Sequence, residues 1–153
     1  MKPITARLVV TLALALLLPP LAGDAQQQPK PSLYVIFLKL APEATEQIAR
    51  PGVIDAVTQA ARAGHAPAVQ ELVTLGQTEA FARVFIERLG YLLRLREAGI
   101  LRAAGPFAEL KDGMYLCNAM NEPEARGVLE EDPLYRAGLI EREFTVSRWL
   151  AAL

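Results

Sequence analysis

Arg88 stands where a charge is out of place. Phe81, Val84, Phe85, Leu92 and Leu95 recur at helical spacing, and Arg88 falls seven residues after Phe81 and seven before Leu95, inside that apolar stripe. A guanidinium there is a planar, two-pronged donor suited to a carboxylate or a phosphate. An internal ion pair would satisfy it equally, as would a stem that stretches out of the stripe to water. It cannot serve as a general base at neutral pH, because it stays protonated. Asp132 precedes Pro133. A desolvated carboxylate can act as a base, but an Asp-Pro step is also a turn whose side chain accepts from nearby backbone N–H groups. Gly105-Pro106 either lines a pocket with backbone or ends a strand.

Cys117, between Leu116 and Asn118, reads as a small buried hydrophobe. A peroxidatic thiol would need exposure and a lowered pKa. His65 lies between Gly64 and Ala66-Pro67. It is solvated, or it faces a substrate if its segment folds over a pocket. These are the only cysteine and the only histidine, so neither a disulfide nor a Cys/His zinc site is expected. There is no Walker-type loop, dinucleotide fingerprint or serine nucleophile elbow. No metal and no cofactor is expected.

The elements that must position these residues follow from patterning. Residues 32–40 are almost continuously apolar and rich in β-branched and aromatic types, which predicts a central strand buried on both faces. Residues 41–76 are cut by Pro42, Pro51 and Pro67 and hold much alanine but few large apolar side chains. Helices are expected at 53–63 and 67–75, lying on the surface and more mobile than the rest. Residues 78–98 form the clearest helix, with Thr78 as N-cap and Gly99 after its last turn. Strands at 100–107 and 114–120 flank the turn signal Lys111-Asp112-Gly113. Asn121, with Pro123 in the first turn and Glu124 reaching back, opens another helix that Asp132-Pro133 ends. A last strand is expected over 139–150, with Phe144 and Val146 on one face. The order is β-α-β-β-α-β with an extra helical insert after the first strand, the ferredoxin-like order of an α+β domain.

The N-terminus carries a targeting pattern. Lys2 and Arg7 precede an apolar run over 8–18, and Pro19-Pro20 and Gly23-Asp24-Ala25 follow it. The run is about 11 residues where a spanning helix needs roughly 20. A signal peptide over 1–25 and a polar, flexible tail over 26–32 are expected, with the domain at 33–150 periplasmic or secreted and free of the membrane after cleavage. An uncleaved anchor is the alternative. No cysteine follows the apolar run, so a lipoprotein anchor is excluded. The net charge of −1 over 153 residues gives no field to attract nucleic acid.

The stretch YLLRLREAGILRAAGPF (91–107) resembles the YCII-related pattern of a helix, a glycine, a strand and a Gly-Pro. Asp132-Pro133-Leu134 followed by Ala137-Gly138-Leu139 resembles that family's Asp-Pro segment, and residues 144–149 resemble its final strand. The resemblance implies a dimeric α/β barrel: two four-stranded sheets with helices on one face each pack their bare faces together. It further implies a pocket between the long helix and the Asp-Pro segment, where a helix histidine and this aspartate form a functional pair. The histidine position falls on Arg88, so the chain departs from the pattern there. The resemblance thus brings Arg88 and Asp132 together, and two function classes remain. One is a non-catalytic homodimer that binds a small anionic ligand through Arg88, Gly105 and Pro106. The other is an isomerase- or lyase-type enzyme that moves a proton on a small carboxylate through Asp132.

Overall fold

The computed structural model describes residues 29–150. The expected signal peptide and residues 26–28 of the expected tail lie outside the described residues. The chain runs β1 (Ser32–Lys39), α1 (Pro42–Ile48), α2 (Val53–Arg62), α3 (Val69–Thr74), α4 (Glu79–Glu97), β2 (Leu101–Pro106), β3 (Asp112–Ala119), α5 (Glu122–Glu130), α6 (Pro133–Arg136) and β4 (Thr145–Trp149). The sheet order is β2-β3-β1-β4, every neighbouring pair antiparallel. This is the expected α+β, ferredoxin-like arrangement. No described helix is long and apolar enough to cross a membrane.

β1 is central, as its composition predicts, with Val35 facing Leu116 of β3 and Ser147 of β4. The alternation of a strand then divides its side chains. Tyr34, Ile36 and Leu38 are buried beneath the helices, whereas Phe37 on the opposite face is 47% exposed. Burial on both faces was expected; the helical face is covered along Tyr34, Ile36 and Leu38, whereas on the other face Val35 is buried and Phe37 is not. β2 carries a register shift between Leu101 and Ala103. Gly113 admits β2 at close range, since a Cβ there would stand 2.8 Å from the Gly105 carbonyl oxygen.

α4 begins and ends as its caps dictate. The Thr78 hydroxyl accepts from the Phe81 N–H at 3.3 Å, and Gly99 takes the left-handed φ of 73° that stops the helix. Its apolar face, Phe81, Phe85, Leu89 and Leu92, is buried. α5 opens on Asn121, whose side chain accepts from Glu124 N–H at 2.9 Å, while the Glu124 carboxylate reaches back to the Met120 N–H at 3.0 Å.

Two expectations are corrected. The insert is not confined to the surface: Ala44, Ile48, Val53, Ala60 and Leu72 all belong to the buried core. Short helices faced with alanine can approach the sheet closely, so one or two large residues each suffice to seat them. The insert is also stitched to the start of α4. The Gln47 side chain accepts from Thr78 N–H at 2.8 Å, and Gln77 donates to the Gln47 carbonyl at 3.2 Å. The last strand is also shorter than 139–150. The chain leaves α6 through Gly138 at φ 75° and makes one bridge at Ile140, and the exposed run Glu141-Arg142-Glu143 carries it away before β4 forms.

Candidate functional site

Arg88 projects from the middle of α4 into the core and is 6% exposed. Its stripe position fixes that direction, because i, i+3, i+4 and i+7 share a helix face. Asp132 waits at the entry of α6 with no exposed surface. Arg88 Nε donates to Asp132 Oδ2 at 3.2 Å. A third side chain completes the group. Tyr115, inward-facing on β3 and fully buried, receives Arg88 Nε at 3.2 Å and Nη2 at 2.9 Å, and donates its own hydroxyl proton to Asp132 Oδ2. Asp132 Oδ1 accepts from the Leu134 N–H at 2.7 Å. The carboxylate therefore serves both as counter-ion and as the cap of the turn into α6, and every one of its observed partners is a donor.

The electrostatics agree with this geometry. Burial works against the Arg88 charge, but Tyr115 and Asp132 together outweigh it, and the guanidinium pKa is raised. Burial also raises the Tyr115 pKa, opposed by Arg88 and assisted by Asp132, so the phenol stays protonated and donates. The Arg88 guanidinium carbon lies 5.9 Å from the Phe85 ring centre and 5.7 Å from that of Tyr115, within range of the ring faces.

Tyr115 and Asp132 occupy one edge of the guanidinium, through Nε and one side of Nη2. Nη1 makes no hydrogen bond among the described residues. Arg88 also lines a cavity of about 750 Å³ between α4, the insert and β2. Leu38, Ile54, Val57, Phe85, Leu89 and Leu92 make much of its wall, and Gly105 and Pro106 line it as well as ending β2. Asp132 and Tyr115 do not line it; they stand behind Arg88. Asp132 as found is a counter-ion and a turn cap, shut off from the cavity.

The two remaining candidates lie apart from this group. His65 is exposed, with Nδ1 3.0 Å from the Ala66 carbonyl, and is not in the cavity wall although the insert does fold over it. Cys117 is fully buried, and burial, with Glu124 adding to it, pushes its thiol up to about 11. That is the reverse of what a reactive cysteine needs. Among the described residues no cluster of three or more His, Cys, Asp or Glu could hold a metal ion. Tyr115 is the member that sequence reasoning missed. Its inward position on β3 was readable from alternation, but which helix residue it would meet was not.

A model of the YCII-related domain matches residues 33–150, insert included. The chain belongs to the YCII-related domain family. No curated protein matches the chain. A solved structure, 5-chloro-2-hydroxyhydroquinone dehydrochlorinase from Burkholderia phenoliruptrix in complex with 2,5-dihydroxybenzoquinone, is similar to this YCII-related chain at 18% identity and a TM-score of 0.46. The similarity covers 78% of this chain and 95% of that one.

Proposed function

We propose that the domain binds a small organic anion with an apolar body, whose charged group docks on Arg88. One observation carries the reading: a buried guanidinium, held through Nε and Nη2 by Tyr115 and Asp132 and with Nη1 unengaged among the described residues, lines a largely apolar cavity. Such a cavity is of the size that small ligands fill, and a preset guanidinium edge suits a carboxylate or phosphate oxygen pair. Gly105 and Pro106 contribute to the wall of the same cavity. The domain belongs, on this reading, to binding rather than to proton-transfer chemistry, because the one carboxylate of the group lies behind the arginine.

The working form is proposed to be a homodimer, the two open sheet faces packed together as a dimeric α/β barrel. Phe37 at 47% and Trp149 at 48% exposure support this, as does their position on a face that no helix of the same chain covers. Light scattering should give twice the monomer mass, and Phe37→Arg should halve it. Export through the segment 1–25 is likewise proposed, with the mature protein periplasmic or secreted; an N-terminus at or near Gln26 after expression in an export-competent bacterium checks it. The ligand reading is tested by thermal shift against carboxylates and phosphates of graded apolarity. Apolar carboxylates should raise the melting temperature, since ligand at 100 times Kd adds about 2.7 kcal/mol. The variant Arg88→Met/Asp132→Asn, which leaves no buried charge stranded, should fold and show no shift. A shift that persists in that variant refutes the role of Arg88.

A further inference from the structure

Every ionisable residue in the cavity wall is an arginine: Arg62, Arg88, Arg96 and Arg102. No aspartate or glutamate lines it, in a chain whose 17 acidic residues outnumber its 16 basic ones. The four are not equivalent. Arg88 has a buried counter-ion in Asp132. Arg62, Arg96 and Arg102 are exposed, and the ion pairs of the described residues involve Arg83, Arg88 and Arg126 but none of these three. The cavity therefore joins a neutralised donor in its depth to uncompensated positive charge at its rim.

Their places in the fold set the spacing. Arg88 and Arg96 are eight residues apart on α4, a rise of about 12 Å. The α4 residues of the cavity wall between them, Leu89, Leu92 and Leu93, are all apolar. Arg62 is held near Arg96, because Nη1 and Nη2 of Arg96 both donate to the Ala61 carbonyl at 3.3 Å. Arg102 stands near the start of β2, just after α4 ends.

Resting on the reading of the cavity as an anion site, we infer that its ligand is a dicarboxylate: one carboxylate docks on Arg88, an apolar spacer crosses the leucines, and the second carboxylate meets the rim of Arg62, Arg96 and Arg102. A monocarboxylate would fill the inner half of this arrangement and leave the rim charge unanswered.

The test is calorimetric titration of the whole protein with a straight-chain monocarboxylate and the α,ω-dicarboxylate of the same length, and with an aromatic pair built the same way. At low ionic strength the diacid of at least one pair should bind about tenfold more tightly, each exposed rim contact contributing roughly two- to fivefold. At about 1 M salt, where the Debye length is ~3 Å, that advantage should vanish, while the screened-off contact with Arg88 persists. Arg62→Gln/Arg96→Gln/Arg102→Gln should equalise diacid and monoacid at low salt with monoacid affinity kept within about twofold, the scale of one weak surface contact. Equal binding of mono- and diacid by the unaltered protein at low salt, or an advantage that survives high salt, overturns the dicarboxylate and leaves the anion site standing. Failure of every acid to bind removes both.

Discussion

Replacing Arg88 by methionine isolates the charge from the packing. Methionine keeps an unbranched stem against Phe85 and opens little space. What it removes is the one cation facing Asp132, a carboxylate with no exposed surface. The Tyr115 hydroxyl and the Leu134 N–H remain as donors, but neither is charged. Stranding a buried charge in this way costs about 3–5 kcal/mol. Against a total stability of roughly 5–15 kcal/mol, that is a large share. For a domain of this size it lowers the melting temperature by on the order of 10–20 °C. Adding Asp132→Asn should reverse most of the loss. Asparagine Oδ1 can still accept from Leu134 N–H, and its Nδ2 can donate to the Tyr115 oxygen, so the group is neutral and only the phenol proton loses its acceptor. The double variant should regain about 2–3 kcal/mol over Arg88→Met alone, a coupling within the range of contacting residues. Urea unfolding followed by far-ultraviolet circular dichroism gives all four corners of the cycle. A loss under about 1 kcal/mol for Arg88→Met, the range of a surface pair, or no recovery in the double variant, refutes the assignment of Asp132 as a buried charge held by Arg88.

Three further outcomes are expected. Leu72→Ala, in the insert but fully buried, should cost about 2–5 kcal/mol, and the amides of α3 should exchange far more slowly than those of a surface segment. Gly113→Ala should cost about 1–3 kcal/mol by pressing a methyl group on the Gly105 carbonyl, read as a lower urea midpoint with an unchanged slope. Stability should be insensitive to the Cys117 thiol at neutral pH and fall on the alkaline side. Its pKa is raised from 9.0 to about 11, so its contribution is complete below pH 9 and is lost as pH rises through about 11. Cys117→Ala should remove that part of the alkaline decline in a melting-temperature titration, and leave the part that Tyr115 adds above pH 10.

Much of this was legible where one residue decides a local structure. Thr78 and Gly99 bound α4 because a hydroxyl cap and a left-handed glycine are local devices. β1 declared itself central through a continuous apolar run, and Arg88 declared itself by violating a periodicity. The Arg88–Asp132 contact, 44 residues apart in sequence, came from the family resemblance and not from any local rule. What stayed hidden depends on how separate elements stack. Residues 41–76 hold few large apolar side chains, so their composition concealed that Ala44 and Ala60 reach the core. The cavity is walled by residues of α2, α4 and β2 together, a juxtaposition written in no single segment. Tyr115 alternates correctly along β3, but alternation names a face and never a partner.

The two margins of the sheet are closed to newcomers in different ways. On one side, β2 shifts its register between Leu101 and Ala103 and ends in Pro106, which has no N–H to offer. On the other, β4 is only five residues long and carries Arg148. Short, kinked and charged margins make poor templates for a further strand. Growth strand by strand from either margin is thereby disfavoured, and with it an open-ended fibre built on this sheet.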